Sequence, residues 1–169
     1  TLDLRQTLHG VSLVRECTPR TLDRILSFGE RLSSTIVAGA FRGEGVPALA
    51  CDARALVVTS ADFGSARVDF GRTNDRIRLW EEEQSTLPVV TGFIGSTESG
   101  ETTTLGRGGS DYTAAIFGAA LEASAIEIWT DVDGVMSADP RIVPGAFSMA
   151  ALGYDELTEL SHFGAKVVY

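Results

Sequence analysis

The stretch Thr102-Thr103-Thr104-Leu105-Gly106-Arg107-Gly108-Gly109-Ser110-Asp111 sets three glycines, an arginine and an acid before an alanine-rich run. Glycine-rich backbone entering a helix binds anions, because free N–H groups and the helix dipole converge there. Arg107 adds a planar fork suited to a carboxylate or a phosphate. The dinucleotide pattern G-x-G-x-x-G fits Gly106 and Gly108 and then fails, since Asp111 stands where the last glycine belongs. Asp111 at a helix start repels a pyrophosphate and welcomes an ammonium group. The plainer reading is a glycine-rich surface loop with an ordinary cap.

Two further stretches carry polar groups in suggestive places. Trp129-Thr130-Asp131-Val132-Asp133-Gly134, followed by Asp139-Pro140-Arg141, reads as a polar strand end, where open α/β sheets bind ligands. As a metal site it lacks the remaining positions of a calcium loop, and an Asp/Gly turn accounts for the same residues. In Ser161-His162-Phe163-Gly164-Ala165-Lys166, the lone lysine either touches phosphate or sits on the surface. With Lys166 as the single lysine there is no Walker A loop, and no G-x-S-x-G elbow marks a hydrolase. His9 and His162 have no metal-ligand spacing, and no metal site is expected.

The elements that must position these residues follow from periodicity. Leu4, Leu8, Val11 and Val14 predict a helix over 4–14. Thr18-Pro19 caps a second helix, with Leu22, Ile25, Leu26, Leu32, Ile36 and Val37 as its apolar stripe to about residue 40. Gly29 inside it suggests close packing or a ligand. Strands are expected over 48–51, 55–59, 88–94 and 126–130, and helices over 72–83, 110–123 with Ser110 as cap, and 155–162. Residues 61–71 and 95–109 read as loops, the second too long for a casual connector, and 139–153 as irregular. Strands alternating with helices predict an α/β fold with a largely parallel central sheet sandwiched by helices.

Composition narrows the function classes. The 169 residues carry 14 basic and 23 acidic side chains, a net charge of -9. An acidic chain without a basic run has no electrostatic footprint for nucleic acid or an anionic membrane. No apolar stretch reaches transmembrane length. Cys17 and Cys51 form no C-x-x-C pattern and suit a reducing, cytoplasmic setting.

Six motifs then appear in a meaningful order. Ser27-Phe28-Gly29-Glu30, Thr91-Gly92-Phe93-Ile94-Gly95, Thr104 to Tyr112, Trp129 to Gly134, Ala138-Asp139-Pro140-Arg141 and Phe163-Gly164-Ala165-Lys166-Val167 resemble the motif series of aspartokinase, within the amino-acid kinase family. The resemblance implies transfer of a phosphoryl group from ATP, with Mg²⁺ carried on the nucleotide, to the β-carboxylate of L-aspartate, the first step toward lysine, threonine and methionine. It places Glu30, Phe93, Arg107, Gly108, Gly109, Ser110 and Asp111 on the aspartate side, with Arg107 and Asp111 catalytic. It places Thr130, Asp131, Met136, Arg141, Lys166 and Val167 on the nucleotide side, with Lys166 also catalytic. Met136 departs from the tyrosine often found there. The family's Lys-Phe-Gly-Gly-Thr-Ser strand and its regulatory ACT region have no counterpart, so residues 1–169 are expected to be part of a catalytic domain, inactive alone and homo-oligomeric when complete. A sister kinase with another carboxylate or carbamate substrate, and a non-catalytic assembly segment, remain alternatives.

Overall fold

A computed structural model of the chain describes residues 2–129 and 134–162, in two compact units that divide after Ile126. In the first unit, α1 (Leu2–Val14) buries none of its residues, and Arg24 reaches its Asp3 at 2.6 Å. Helix α2 (Pro19–Gly43) starts as its sequence dictates: the Thr18 hydroxyl accepts from Thr21 N–H, with Pro19 following. Its buried face is not the expected apolar stripe. Asp23, Ser27, Phe28, Ser34 and Ala38 face inward, while Leu22, Leu26, Leu32, Ile36 and Val37 are exposed. Mostly small side chains on the inner face let the helix lie close on the strands beneath. Gly29 has open space around it, so close packing does not explain it.

Strand β1 (Ala48–Cys51) pairs in parallel with β2 (Leu87–Val90), Ala48 opposite Leu87 and Cys51 opposite Val90. The strand expected over 55–59 is instead a 3₁₀ turn, Ala53–Ala55, followed by two isolated bridges, Val58 to Ser96 and Thr59 to Val68. The cause is local: the Asp52 carboxylate accepts from Arg54 N–H at 3.1 Å and binds its guanidinium at 2.6 Å, bending the chain out of extension. Helix α3 (Phe70–Glu82) is capped by Asp69.

The stretch expected as a long loop contains a hairpin. Strands β3 (Ile94–Ser96) and β4 (Thr102–Thr104) pair antiparallel, and the turn between them is closed by Thr97 N–H to the Glu101 carbonyl at 2.9 Å. The consecutive β-branched threonines suit a strand, but their polarity hides it from a hydrophobicity reading. Helix α4 (Gly109–Ala120) packs on α3 through Leu56, Ile77, Leu105, Ile116 and Ala120, with Trp80 and Phe117 edge to face at 6.0 Å. The α/β class stands. Among the described residues the parallel pairing is confined to β1–β2 and the Val58–Ser96 bridge, and β3–β4 runs the other way.

Residues 126–129 are unpaired, contrary to the expected strand, and Thr130 lies outside the described residues. Ile126 packs its side chain over the bare Cα of Gly118 in α4 instead. In the second unit a short antiparallel contact joins Met136 to Ser148, and Met149 N–H donates to the Val135 carbonyl at 2.8 Å. Helix α5 (Tyr154–His162) closes the described part.

Ile77 is fully enclosed in the α3–α4 core. Ile77→Ala should therefore lower unfolding free energy by about 2–5 kcal/mol in a urea titration of the chain. A loss below about 1 kcal/mol would show that these helices do not share a tight core.

Candidate functional site

The site forms where β2 ends. After Val90 the chain breaks at Thr91-Gly92-Phe93, and Phe93 takes a left-handed backbone with φ of 66°. Ile94 N–H closes back on the Gly92 carbonyl at 2.7 Å, the bonding of a γ-turn about Phe93. A phenylalanine in this region is strained by about 1–3 kcal/mol and persists only where its surroundings hold it. Here Phe93 N–H donates to the Thr113 hydroxyl at 3.0 Å, and that hydroxyl donates to the Gly109 carbonyl at 2.7 Å. The Phe93 carbonyl accepts from Leu105 N–H at 2.9 Å.

Thr113 thus pins the strained residue to the first turn of α4, and glycines make the approach possible. A Cβ on Gly109 would lie 2.7 Å from the Phe93 ring, and one on Gly92 would lie 3.0 Å from the Ser110 side chain. Gly106 and Gly108, with φ of 80° and 70°, turn the chain between β4 and α4. Gly108 occupies the N-cap and no side chain caps the helix, so Ser110 is not the expected cap but an exposed residue in the first turn. An uncapped helix start beside an arginine suits an anion.

Glu30 reaches this turn from α2. Its half-buried carboxylate accepts the Gly92 N–H; burial pushes its pKa above the ordinary value, and the hydrogen bond opposes that rise. Glu30, Phe93, Gly108, Gly109, Ser110 and Asp111 therefore gather around one strand break and one helix start, with Arg107 exposed on the loop between β4 and α4. Gly92 and Ser110 also line one end of an open cleft of about 350 Å³, walled by Val90, Thr113 and Phe117. The strand break and the helix start carry one arginine and two carboxylates, a charge set that suits a small zwitterion better than a lone anion.

The nucleotide-side residues divide differently. Thr130, Asp131, Lys166 and Val167 lie outside the described residues. Met136 is half-buried in the bridge to Ser148. The Arg141 guanidinium lies on Asp139, Nε to Oδ1 at 3.0 Å and Nη2 to Oδ2 at 2.6 Å, so a phosphate would have to share or displace that carboxylate. Among the described residues no three His, Cys, Asp or Glu side chains converge to hold a metal ion. No described helix is long and apolar enough to cross a membrane.

Sequence reasoning passed over Thr113 and Asp23. Thr113 follows Gly109 by one helical turn in an alanine-rich segment, and that spacing was its only signal. Asp23 sits on the inner face of α2, off the apolar stripe that periodicity picks out.

Comparison with known proteins places the chain in a family. The profile of the amino acid kinase family matches residues 3–169. Chloroplastic aspartokinase 2 of Arabidopsis thaliana is 40% identical over 98% of this chain and 31% of its own length. The lysine-sensitive aspartokinase 3 of Escherichia coli is 36% identical over 99% of this chain and 39% of its own. The crystal structure of E. coli aspartokinase III in complex with aspartate and ADP superposes with a TM-score of 0.87 at 35% identity, over 99% of this chain and 39% of that one. The chain thus spans about a third of the length of these relatives. With the profile match running almost end to end and the fold agreeing, the chain belongs to the amino acid kinase family.

Proposed function

We propose that the chain supplies the substrate side of an aspartate kinase, as part of a catalytic domain that transfers the γ-phosphoryl group of ATP to the β-carboxylate of L-aspartate. The observation that carries this reading is the meeting of Glu30 with the uncapped, glycine-built start of α4 at Gly92 and Ser110. The similarity to an E. coli enzyme crystallised with aspartate and ADP supports it.

Arg107 takes the α-carboxylate through two parallel N–H bonds, and the first-turn amides of α4 add to the same pole. Glu30 and Asp111 take the α-ammonium. Phe93, Gly108, Gly109 and Ser110 form the floor on which the backbone of aspartate lies. The β-carboxylate is already ionised at neutral pH, so one of its oxygens attacks the γ-phosphorus without a general base, and ADP leaves. Catalysis reduces to aligning two anions and offsetting their charge. Mg²⁺ carried on the nucleotide would supply charge neutralisation at the phosphates, with no protein cage of three His, Cys, Asp or Glu side chains among the described residues to hold it. Thr130, Asp131, Met136, Arg141, Lys166 and Val167 form the nucleotide side, with Lys166 on phosphate. The product, 4-phospho-L-aspartate, opens the routes to lysine, threonine and methionine, in a cytoplasmic homo-oligomer.

Arg107→Lys in the complete protein tests the carboxylate pole. An ammonium keeps the charge but cannot offer two coplanar donors. kcat/KM for aspartate should fall by about 2–3 kcal/mol, roughly 30- to 150-fold, in a coupled ADP-release assay, with nucleotide affinity nearly unchanged. Near-normal aspartate kinetics would remove Arg107 from the substrate.

Glu30 tests the ammonium pole through pH. Because burial raises its pKa, its charge is lost on acidification at a pH above the ordinary 4.5. kcat/KM for aspartate, which reports the free enzyme, should fall on the acid side with a midpoint above that value. Glu30→Gln should lower kcat/KM at neutral pH and abolish that limb. An identical acid limb in the variant would assign the titration to another group.

A further inference from the structure

Asp23 is a carboxylate that the reaction does not use, yet it is 99% enclosed at the inner face of α2, with 1% of its surface exposed. Its Oδ2 accepts from Gly64 N–H at 2.9 Å and from Thr104 N–H at 3.0 Å, and its Oδ1 accepts from the Thr104 hydroxyl at 2.8 Å. Two of these donors belong to the last residue of β4, 81 positions along the chain. Three residues beyond it stands Arg107. The third donor, Gly64, belongs to a turn whose carbonyl lies 3.4 Å from where a Cβ on Gly106 would be. Asp23 therefore holds both the strand that feeds the arginine loop and the wall against which that loop turns.

The same helix carries Glu30, seven residues on. Two turns of helix, roughly 10 Å of rise, bring the two side chains to one face. Asp23 locks α2 to the base of the arginine loop, and Glu30 meets Gly92. The distance between the ammonium pole and the carboxylate pole is then fixed by one rigid helix with an anchor at each end. We infer that Asp23 is a positioning residue for the amino-acid substrate, setting the separation of Glu30 and Arg107 through its bonds to Thr104 and Gly64. The inference rests on the aspartate-binding reading above.

The geometry makes a distinctive demand on substitutions. In Asp23→Asn the amide oxygen still accepts from both N–H groups, and the NH₂ donates to the Thr104 hydroxyl, so all three links persist. In Asp23→Ala none does. Thr104→Val removes only the hydroxyl link and keeps the strand.

In the complete protein, Asp23→Ala should raise KM for aspartate at least about tenfold and leave KM for ATP within about twofold, with Asp23→Asn restored to within about threefold of wild type. Thr104→Val should move aspartate KM the same way, by roughly threefold, which keeps the test open if Asp23→Ala does not fold. Hydrogen exchange at the amides of residues 104–109 should quicken in Asp23→Ala and Thr104→Val and not in Asp23→Asn. Variants that lower thermal stability while both KM values stay at wild-type levels would overturn the inference, as would unchanged exchange at 104–109. A wild-type protein without aspartate-dependent ADP release would instead overturn the substrate reading, and quickened exchange alongside it would still place Asp23 as the anchor of the loop.

Discussion

Gly109 and Phe93 meet at a distance that leaves no room for a side chain: a Cβ on Gly109 would stand 2.7 Å from the phenylalanine ring and 3.2 Å from Leu105. This contact joins the end of a strand to the start of a helix, and much else in the first unit follows from it. The chain must turn through left-handed backbone at Gly106 and Gly108 to bring the helix in so closely. It must also leave the strand through a left-handed Phe93, a conformation that phenylalanine adopts only under constraint. The helix can then present its first turn, without a side-chain cap, at the strand break where Glu30 arrives.

The energetics are consistent with a held rather than a relaxed turn. Strain of about 1–3 kcal/mol at Phe93 is comparable to what two or three buried hydrogen bonds of about 1 kcal/mol each contribute. The available bonds are Phe93 N–H to Thr113, Thr113 to the Gly109 carbonyl, and Leu105 N–H to the Phe93 carbonyl. Thr113 is buried and serves both sides of the contact, so one hydroxyl offsets the strain and sets the approach. On the far side of the loop, Asp23 ties the end of β4 at Thr104 to the turn at Gly64. On the proposed reading, a substrate entering the site would find its donors already in place, which is where positioning catalysis gains its effect.

Local chemistry was legible in the sequence and distant pairing was not. The Thr18-Pro19 helix start and the glycine-built entry to α4 follow from side-chain capping and backbone freedom, both readable within a few residues. The β3–β4 hairpin was missed because its strands are short and, Ile94 apart, built of Thr, Gly and Ser, which show no hydrophobic alternation. The inner face of α2 was misjudged for a related reason: periodicity finds the apolar stripe, but the buried stripe here is mostly small and polar, with Asp23 in it. At the site, the motif order named Glu30, Phe93 and Gly108 to Asp111, and the structure gathers them. Thr113 and Asp23 act through bonds to backbone groups far along the chain, which no local spacing reveals.

The chemistry proposed for this site is recognition of a zwitterion by two opposed poles, so that a distal carboxylate would project toward a nucleotide. The most direct measurement is calorimetric titration of the complete protein, without nucleotide, with L-aspartate and two relatives of it. Succinate lacks the α-ammonium, and β-alanine lacks the α-carboxylate. Each loses one charged pole worth about 1.5–3 kcal/mol, so each should bind roughly 10- to 150-fold more weakly than aspartate. Equal affinity for aspartate and either relative would contradict the two-pole site.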